Sequence, residues 1–273
     1  MSILQAIILG IIQGLTEFLP ISSSAHLVIA PFLFGWKFDP QVAFAFNVLV
    51  QNGTLLAVIV YFWSDLWAIL RAFVLGLVKM KPFADPQARM GWYLILATIP
   101  AGIFGLAVKS TVEAAFNSIV ATALFLFVTA AFLVLAELLG KRRRPLASLN
   151  WLDALVMGLF QALAIFPGIS RSGSTITGGM LRQLDRPAAA RFAFLMSVPV
   201  MLAAGGLETI DALKSPILTA SLPLIGVGFI AAAGVGFLSI RWLLGYLQKR
   251  SFYVFAIYCV ALGAVTLLIN ALR

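Results

Sequence analysis

Residues 6–26 read AIILGIIQGLTEFLPISSSAH, and residues 154–174 read ALVMGLFQALAIFPGISRSGS. The second segment repeats the first at an offset of 148 residues, and eight of the 21 aligned positions are identical. In each segment an apolar stretch ends at a proline and gives way to a run that contains several serines. Interrupted apolar segments at matching positions of two repeats are typical of membrane proteins that build a site where the repeats meet. The duplication therefore predicts a functional site formed by the two serine-containing runs.

The composition is that of an integral membrane protein. Hydrophobic residues make up 62% of the chain and charged residues 11%, whereas soluble domains carry roughly 25% charged residues. The net charge of +9 is attributed to basic loops at one membrane face rather than to nucleic-acid binding. The single cysteine and single histidine exclude an intramolecular disulfide and a structural zinc site.

We expect an all-α polytopic fold with about six transmembrane helices and two re-entrant helix–loop–helix segments. A span needs about 20 apolar residues, whereas the apolar stretches 3–18 and 151–166 are shorter and are closed by Pro20 and Pro167. Each is predicted to stop inside the membrane and turn back. The returning segments are predicted at 27–35 and 175–182, and the spans at 41–63, 89–108, 118–140, 188–210, 217–244 and 252–271.

The charge distribution indicates that the two halves, about 1–140 and 150–273, are inverted repeats of a single membrane domain joined by the basic loop 141–149. Three spans per half is an odd number, and this topology places 14 lysines and arginines on one face and 4 on the other. The positive-inside rule then makes the basic face cytoplasmic and both termini extracytoplasmic. The charged segment 66–79 is predicted to lie along the membrane interface. Five acidic residues near predicted helix ends are expected to be solvated: Glu113, Glu137, Asp153, Glu208 and Asp211.

Three ionisable residues fall within the interrupted segments: Glu17, His26 and Arg171. An ionisable residue inside a membrane is costly and is by default a candidate for function. Because the two re-entrant tips would enter from opposite sides, we expect these residues to meet near the middle of the membrane. The polar neighbours expected at the same place are Gln13, Ser22, Ser23, Ser24, Ser170, Ser172, Gly173, Ser174 and Thr175.

This set of side chains favours a phosphoryl group as the ligand. An arginine matches phosphate oxygens with a planar fork, and glycine-rich backbone and helix N-termini donate N–H groups to anions. A serine beside a histidine or a glutamate offers a nucleophile with a base. The stretch 168–175, GISRSGST, resembles a nucleotide-binding phosphate loop but lacks its lysine. No nucleotide is therefore expected, and neither is haem or zinc.

Structural roles are the alternative for each of these residues. The serines can bond the backbone where a helix breaks, and Gln13 can join helices, since Gln161 occupies the same place in the other half. Glu17 and Arg171 can form a salt bridge without a catalytic role. The rival functional class is a lipid-phosphate flippase or secondary transporter, because such proteins also use inverted repeats and midplane polar sites.

Residues 13–26, QGLTEFLPISSSAH, and residues 167–175, PGISRSGST, resemble the two signature motifs of the bacterial undecaprenyl-pyrophosphate phosphatases, the family linked to bacitracin resistance. The resemblance covers essentially the whole chain. It implies an inner-membrane enzyme that removes the terminal phosphate of a polyprenyl pyrophosphate lipid used in cell-wall synthesis. It also implies an inverted-repeat fold, frequent homodimers and a site reached from the outer side. The residues that match the family's functional positions are Glu17, Ser23, His26 and Arg171, supported by Gln13, Ser22, Ser170, Ser172 and Thr175.

A mechanism is hypothesised from these matches. Arg171 holds the pyrophosphate, and Ser23 attacks the terminal phosphorus, unless His26 attacks and Ser23 only orients it. Glu17 sets the protonation of the nucleophile or, together with Gln13, binds a divalent cation such as Mg²⁺ or Ca²⁺. Gln13 stands where many members of the family have a glutamate, which argues against a clamp of two carboxylates. The lipid tail is expected between helices that are open to the bilayer.

Overall fold

The computed structural model describes residues 1–213 and 216–273. This part of the chain forms twelve α-helices and contains no β-strand, so the all-α prediction is confirmed. The helices are α1 (Ile3–Phe18), α2 (Ser23–Phe34), α3 (Pro40–Tyr61), α4 (Trp63–Val78), α5 (Pro86–Ala107), α6 (Lys109–Phe116), α7 (Ile119–Leu139), α8 (Trp151–Leu163), α9 (Arg171–Leu181), α10 (Arg186–Leu213), α11 (Pro216–Leu247) and α12 (Tyr253–Leu272).

The long helices coincide with the six predicted spans. Four segments in α5, α7, α11 and α12 are long and apolar enough to cross a membrane: Pro86–Ala107, Ile119–Leu139, Ser221–Leu247 and Tyr253–Leu272. A fifth candidate is a bent pair from α3 and α4, Phe46–Tyr61 and Trp63–Val78. Over the described residues α10 does not pass the same test. Its stretch 192–198 is entirely buried, which is typical of a helix surrounded by other helices. The multi-pass membrane architecture is thus confirmed.

The interfacial position of helix α4 stays a prediction. The axis of this helix is bent by 78° from that of the preceding span, and the backbone between the two helices breaks at Phe62. Large apolar side chains of α4 are exposed, among them Trp63, Trp67, Leu70, Val74 and Leu77. Such a helix covers the acyl boundary with one face while its charges stay near water.

The two interrupted segments fold as helical hairpins that enter from opposite ends of the molecule. The first hairpin, α1 and α2, ends next to the C-terminus of the chain. There Arg273 donates a hydrogen bond to the carbonyl of Phe32, near the end of α2, at 2.8 Å. Helix α12 ends at this C-terminus and begins one helix length, about 30 Å, away. At that opposite end of the molecule the Phe252 amide donates to Glu137 at 2.9 Å. The second hairpin, α8 and α9, has both of its outer ends on the side of the molecule that carries Glu137. Arg144, which follows α7, contacts Asp153 in the first turn of α8 and the carbonyl of Arg182 at the end of α9. This opposition is what an inverted repeat predicts.

The halves interlock through their re-entrant helices. Helix α1 of the first half packs against α11 of the second, and α8 of the second packs against α5 of the first. Glycines at repeat-related positions allow both contacts, since Gly10 faces Gly228 and Gly158 faces Ala97. Small residues let membrane helices approach closely. A Cβ atom at Gly158 would lie 2.6 Å from the Ala97 carbonyl oxygen, so this crossing has no room for a side chain.

Replacing Gly158 by alanine is expected to destabilise the protein by about 1–3 kcal/mol, because the added methyl group overpacks the contact with Ala97. The measurement is thermal unfolding of the purified protein in detergent. Gly102→Ala is the matched control, since Gly102 lies on the partner helix α5 with open space around its Cβ position. Equal melting temperatures for the two variants would show that the glycine contact does not limit helix packing.

The prediction that Glu137 and Asp153 are solvated is wrong. Asp153 is 0% exposed and Glu137 is 6% exposed, because arginines of the loop after α7 and of the junction between α9 and α10 cover both carboxylates. The arginines that pair with them are Arg144 and Arg182 at Asp153 (2.7 and 2.9 Å) and Arg142 and Arg186 at Glu137. The hydrogen bond to Asp153 raises the pKa of the Arg144 guanidinium. The same prediction for Glu113, Glu208 and Asp211 lies outside the described side chains.

Candidate active site

The first tip is the turn between α1 and α2. Helix α1 ends at Phe18, just before Pro20, and α2 begins at Ser23 with Ser22 as its N-cap. The Ser22 hydroxyl accepts a hydrogen bond from the Ala25 amide at 3.3 Å, as N-cap serines do. The backbone of Ser22 has φ 68°, in the left-handed region that favours glycine. This turn reverses the chain within a few residues and places Ser23 beside the last turn of α1.

Glu17 is the centre of the site. Its side chain is buried, with the residue 7% exposed, and its two oxygens accept hydrogen bonds from three other residues. Oε1 accepts from Arg171 at 2.6 Å, and Oε2 accepts from Ser23 at 2.5 Å and from Gln13 at 2.9 Å. Gln13 also donates to Thr54 on α3 at 3.3 Å. The expected meeting of Glu17 and Arg171 therefore occurs, and it brings Ser23 and Gln13 into the same cluster.

The second tip is held by helix α7. The Thr129 hydroxyl donates to the Gly168 carbonyl at 2.8 Å and accepts from the Ser170 amide at 2.9 Å. Gly168 has φ 104°, a conformation that L-residues rarely adopt. Ser170 then caps α9, its hydroxyl accepting from the Gly173 amide at 3.1 Å. These contacts fix the start of α9 and hence the position of Arg171, its first residue.

The two tips touch each other directly. The Ser172 hydroxyl donates to the Leu19 carbonyl at 3.0 Å, which links the start of α9 to the end of α1. Both α2 and α9 begin at this junction. The N-terminus of a helix carries a partial positive charge and free N–H groups that favour anions. Together with the Arg171 guanidinium, the two helix starts create a positively polarised site around a single carboxylate.

Several predicted site hydroxyls have internal partners instead of contacting Glu17. Ser170 is an N-cap and Ser172 joins the tips, as described above. Thr175 donates back to the Arg171 carbonyl at 2.8 Å, and the hydroxyls of Ser22 and Ser24 lie 3.1 Å apart. Ser174 is buried, and its hydroxyl has no partner in the described part of the chain. Of the predicted residues, the structure joins Gln13, Glu17, Ser23 and Arg171 in one hydrogen-bonded cluster.

His26 lies on α2 beside this cluster and bonds to other groups. Its Nδ1 is 2.7 Å from the Ser22 carbonyl oxygen, and its Nε2 is 2.7 Å from the Tyr258 hydroxyl on α12. Sequence reasoning did not identify Tyr258, Thr54 or Thr129. The polar run 51–54, QNGT, inside a predicted span was a signal for Thr54. Tyr258 and Thr129 carry no such local signal.

The residues at the site suit a divalent cation only if the substrate supplies most of its ligands. Among the described residues no group of three or more His, Cys, Asp or Glu side chains could hold a metal ion, and Glu17 is the one carboxylate of the cluster. Gln13 Oε1 is buried and has no hydrogen-bond partner in the described residues, so an amide oxygen is available near that carboxylate. Mg²⁺ is usually held by one or two carboxylates, substrate phosphates and water.

Comparison with known proteins places the whole chain in one family. Residues 6–265 match the family model described as bacitracin resistance protein BacA. The chain is 45% identical over 276 residues to the undecaprenyl-diphosphatase of Thermomicrobium roseum, with 98% of each chain covered. It is 43% identical to that of Myxococcus xanthus, covering 98% of this chain and 89% of the relative, and 46% identical to that of Chlorobaculum tepidum, covering 96% and 95%. The chain therefore belongs to the bacitracin resistance protein BacA family.

Proposed function

We propose that this membrane protein hydrolyses undecaprenyl pyrophosphate to undecaprenyl phosphate and inorganic phosphate, the activity for which its relatives are named. The observation that carries the proposal is the cluster in which Glu17 binds Ser23 of its own tip and Arg171 of the other tip. This cluster combines a nucleophile, a base and a phosphate-binding cation. Hydrolysis would recycle the lipid carrier of cell-wall synthesis and confer resistance to bacitracin.

Substrate binding would use the positive groups at the junction of the tips. Arg171 donates to Glu17 through one nitrogen, Nη2. The remaining N–H groups of its planar guanidinium are suited to phosphate oxygens. The starts of α2 and α9 add N–H groups and the positive ends of two helix dipoles. Phosphoryl transfer depends mainly on such positioning and charge neutralisation, so the supporting serines can act by shaping the tips.

Ser23 is the proposed nucleophile. Its hydroxyl already donates to Glu17 at 2.5 Å, so the carboxylate can take the proton as the serine oxygen attacks the terminal phosphorus. A bond forms between Ser23 Oγ and that phosphorus while the bond to the bridging oxygen breaks, and undecaprenyl phosphate leaves. A water oxygen then bonds to the phosphorus of the phosphoserine as the bond between Ser23 Oγ and phosphorus breaks. Glu17 gives its proton back to Ser23 Oγ, and inorganic phosphate leaves with both hydrogens of the water. His26 is less suited to attack, because both of its ring nitrogens already have partners in Ser22 and Tyr258.

A cavity of about 200 Å³ supports the proposed path of the lipid. It lies between α1, α2 and α3, and its lining includes Leu9, Leu27 and Asn47. Leu9 is one helical turn from Gln13, and Leu27 is one turn from Ser23, so the cavity sits next to the catalytic cluster on the side of the chain termini. We place the first prenyl units of the substrate in this space, where Asn47 is the one polar residue of the described lining.

We propose that a divalent cation, when it takes part, is carried by the pyrophosphate and touches the protein at Glu17 and Gln13. Gln13→Glu would add a second carboxylate beside Glu17, which favours Mg²⁺ or Ca²⁺. The variant is expected to become more dependent on added cation, so that chelator lowers its phosphate release several-fold more than that of the wild type. Gln161→Glu at the repeat-related position is the matched control. Equal chelator sensitivity of Gln13→Glu and wild type would contradict this placement of the cation.

The proposed location is the bacterial inner membrane, with both termini and the site's opening on the outer side. The asymmetry of charge supports this orientation, since the arginine clusters at Glu137 and Asp153 lie at the end opposite Arg273 and basic residues concentrate on cytoplasmic faces. We further propose that the two repeats act as one domain and that the protein forms homodimers, as the family resemblance implies.

A further inference from the structure

Tyr258 joins the last helix of the chain to the first tip. Its hydroxyl lies 2.7 Å from His26 Nε2, although the two residues are 232 positions apart in the sequence. The two rings are nearly parallel, with an interplanar angle of 3° and centroids 5.6 Å apart. The tyrosine is 41% exposed, and it stands on α12, a helix of the half opposite to His26. The contact therefore ties the second repeat to the turn that carries Ser23.

The Ser22 carbonyl determines which ring nitrogen of His26 carries the proton, and the Tyr258 hydroxyl holds the other nitrogen. The Ser22 carbonyl can only accept a hydrogen bond, so Nδ1, 2.7 Å away, must be the donor and hold the hydrogen. In the neutral ring Nε2 is then an acceptor, and the Tyr258 hydroxyl donates to it. A hydroxyl is a suitable partner for this nitrogen because it can donate without carrying charge.

The hydrogen bond from His26 supports a strained turn. Ser22 has φ 68°, and its carbonyl accepts from both the ring Nδ1 and, at 3.3 Å, the backbone amide of His26. A conformation of this kind persists only where the surroundings hold it. The next residue is Ser23, whose hydroxyl contacts Glu17. The order of contacts is thus Tyr258 to His26, His26 to Ser22, and Ser22 through the peptide bond to Ser23.

We propose that Tyr258 is a positioning residue of the active site: it holds the His26 ring so that Nδ1–H stays on the Ser22 carbonyl, and thereby fixes the Ser22 turn and the direction of the Ser23 hydroxyl. Its effect on turnover rests on the proposed function, whereas its effect on the tautomer does not. In this arrangement the imidazole is a support for the nucleophile and does not attack phosphorus itself.

The tautomer can be measured directly because His26 is the one histidine in the sequence. The experiment is ¹⁵N NMR of histidine-labelled protein, prepared without a polyhistidine tag and held in detergent micelles near neutral pH. The wild type is expected to show a protonated Nδ1 and an unprotonated Nε2. Tyr258→Phe leaves Nε2 without its donor, so the ring is expected to turn away from the Ser22 carbonyl part of the time and to give a mixture of tautomers. The matched control is Tyr253→Phe, which changes the other tyrosine of α12 and should keep the wild-type spectrum.

Phosphate release from undecaprenyl pyrophosphate gives the second readout. Tyr258→Phe removes one hydrogen bond between neutral groups, which corresponds to a loss of about twofold to about tenfold. We expect this loss in kcat with KM nearly unchanged, while Tyr253→Phe matches the wild type. A wild-type spectrum with Nε2 protonated, or an unchanged spectrum in Tyr258→Phe, would overturn the proposal. The tautomer of the wild-type protein is measured without any substitution and without turnover. A lack of phosphatase activity would therefore count against the proposed function alone and not against the positioning role of Tyr258.

Discussion

Replacing Arg171 by glutamine is expected to lower phosphate release from undecaprenyl pyrophosphate by about a thousandfold or more. Arginines that neutralise a transferring phosphoryl group contribute roughly 10³–10⁵ in rate, and the described cluster contains no second cation beside Glu17. Arg171→Lys keeps the positive charge but loses the planar fork. This variant is therefore expected to retain more activity than Arg171→Gln while staying well below the wild type. Turnover is measured on the purified protein in detergent.

A stability control is needed for this experiment because Arg171 forms an ion pair with the buried Glu17. Removing one partner of such a pair leaves an uncompensated charge and costs about 3–5 kcal/mol, so partial unfolding could imitate a catalytic defect. The double variant Glu17→Gln with Arg171→Gln removes both charges together. It is expected to melt closer to the wild type than Arg171→Gln does and to remain inactive. Near-normal turnover in Arg171→Gln or Arg171→Lys would contradict a phosphate-binding role.

Replacing Ser23 by alanine is expected to abolish turnover and the covalent intermediate together. Substrate labelled in its terminal phosphate and quenched during turnover should leave a phosphoserine that is stable in acid on the wild type. Ser23→Ala should carry no label, because the attacking oxygen has been removed. Ser24→Ala is the comparison, since the Ser24 hydroxyl contacts Ser22 rather than Glu17, and this variant should still be labelled.

The chemical stability of the label separates the two candidate nucleophiles. A phosphohistidine is lost in acid and kept in base, whereas a phosphoserine behaves in the opposite way. An acid-labile label that survives in Ser23→Ala would assign the attack to His26. Such a result would also require His26 to release a nitrogen from Ser22 or Tyr258, contrary to the contacts that both nitrogens make in the structure.

The hairpins could be predicted from the sequence because their causes are local. The stretches 3–18 and 151–166 are too short to span, and Pro20 and Pro167 mark where they stop. The duplication with an odd number of spans per half then required the two tips to enter from opposite sides. The pairing of Glu17 with Arg171 follows from that topology, since each would be a costly isolated charge inside a membrane.

The partners that were missed depend on contacts between distant helices. Tyr258 and Thr129 lie in apolar spans, and no periodicity tells which neighbouring helix a single hydroxyl will face. The burial of Glu137 and Asp153 could not be foreseen because it depends on how arginines of the loop after α7 and of the junction between α9 and α10 come to lie over the helix ends. Likewise, the sequence does not distinguish a serine that contacts Glu17 from one that caps a helix, as Ser170 does.

The most direct test of the account is the release of inorganic phosphate from undecaprenyl pyrophosphate by the purified protein in detergent, with Ser23→Ala and Arg171→Lys measured beside it. The account predicts release by the wild type, no release by Ser23→Ala and strongly reduced release by Arg171→Lys, since the two residues come from opposite repeats and form one site. No release by well-folded wild-type protein would contradict it and would favour a lipid-phosphate flippase or transporter built on the same inverted repeat.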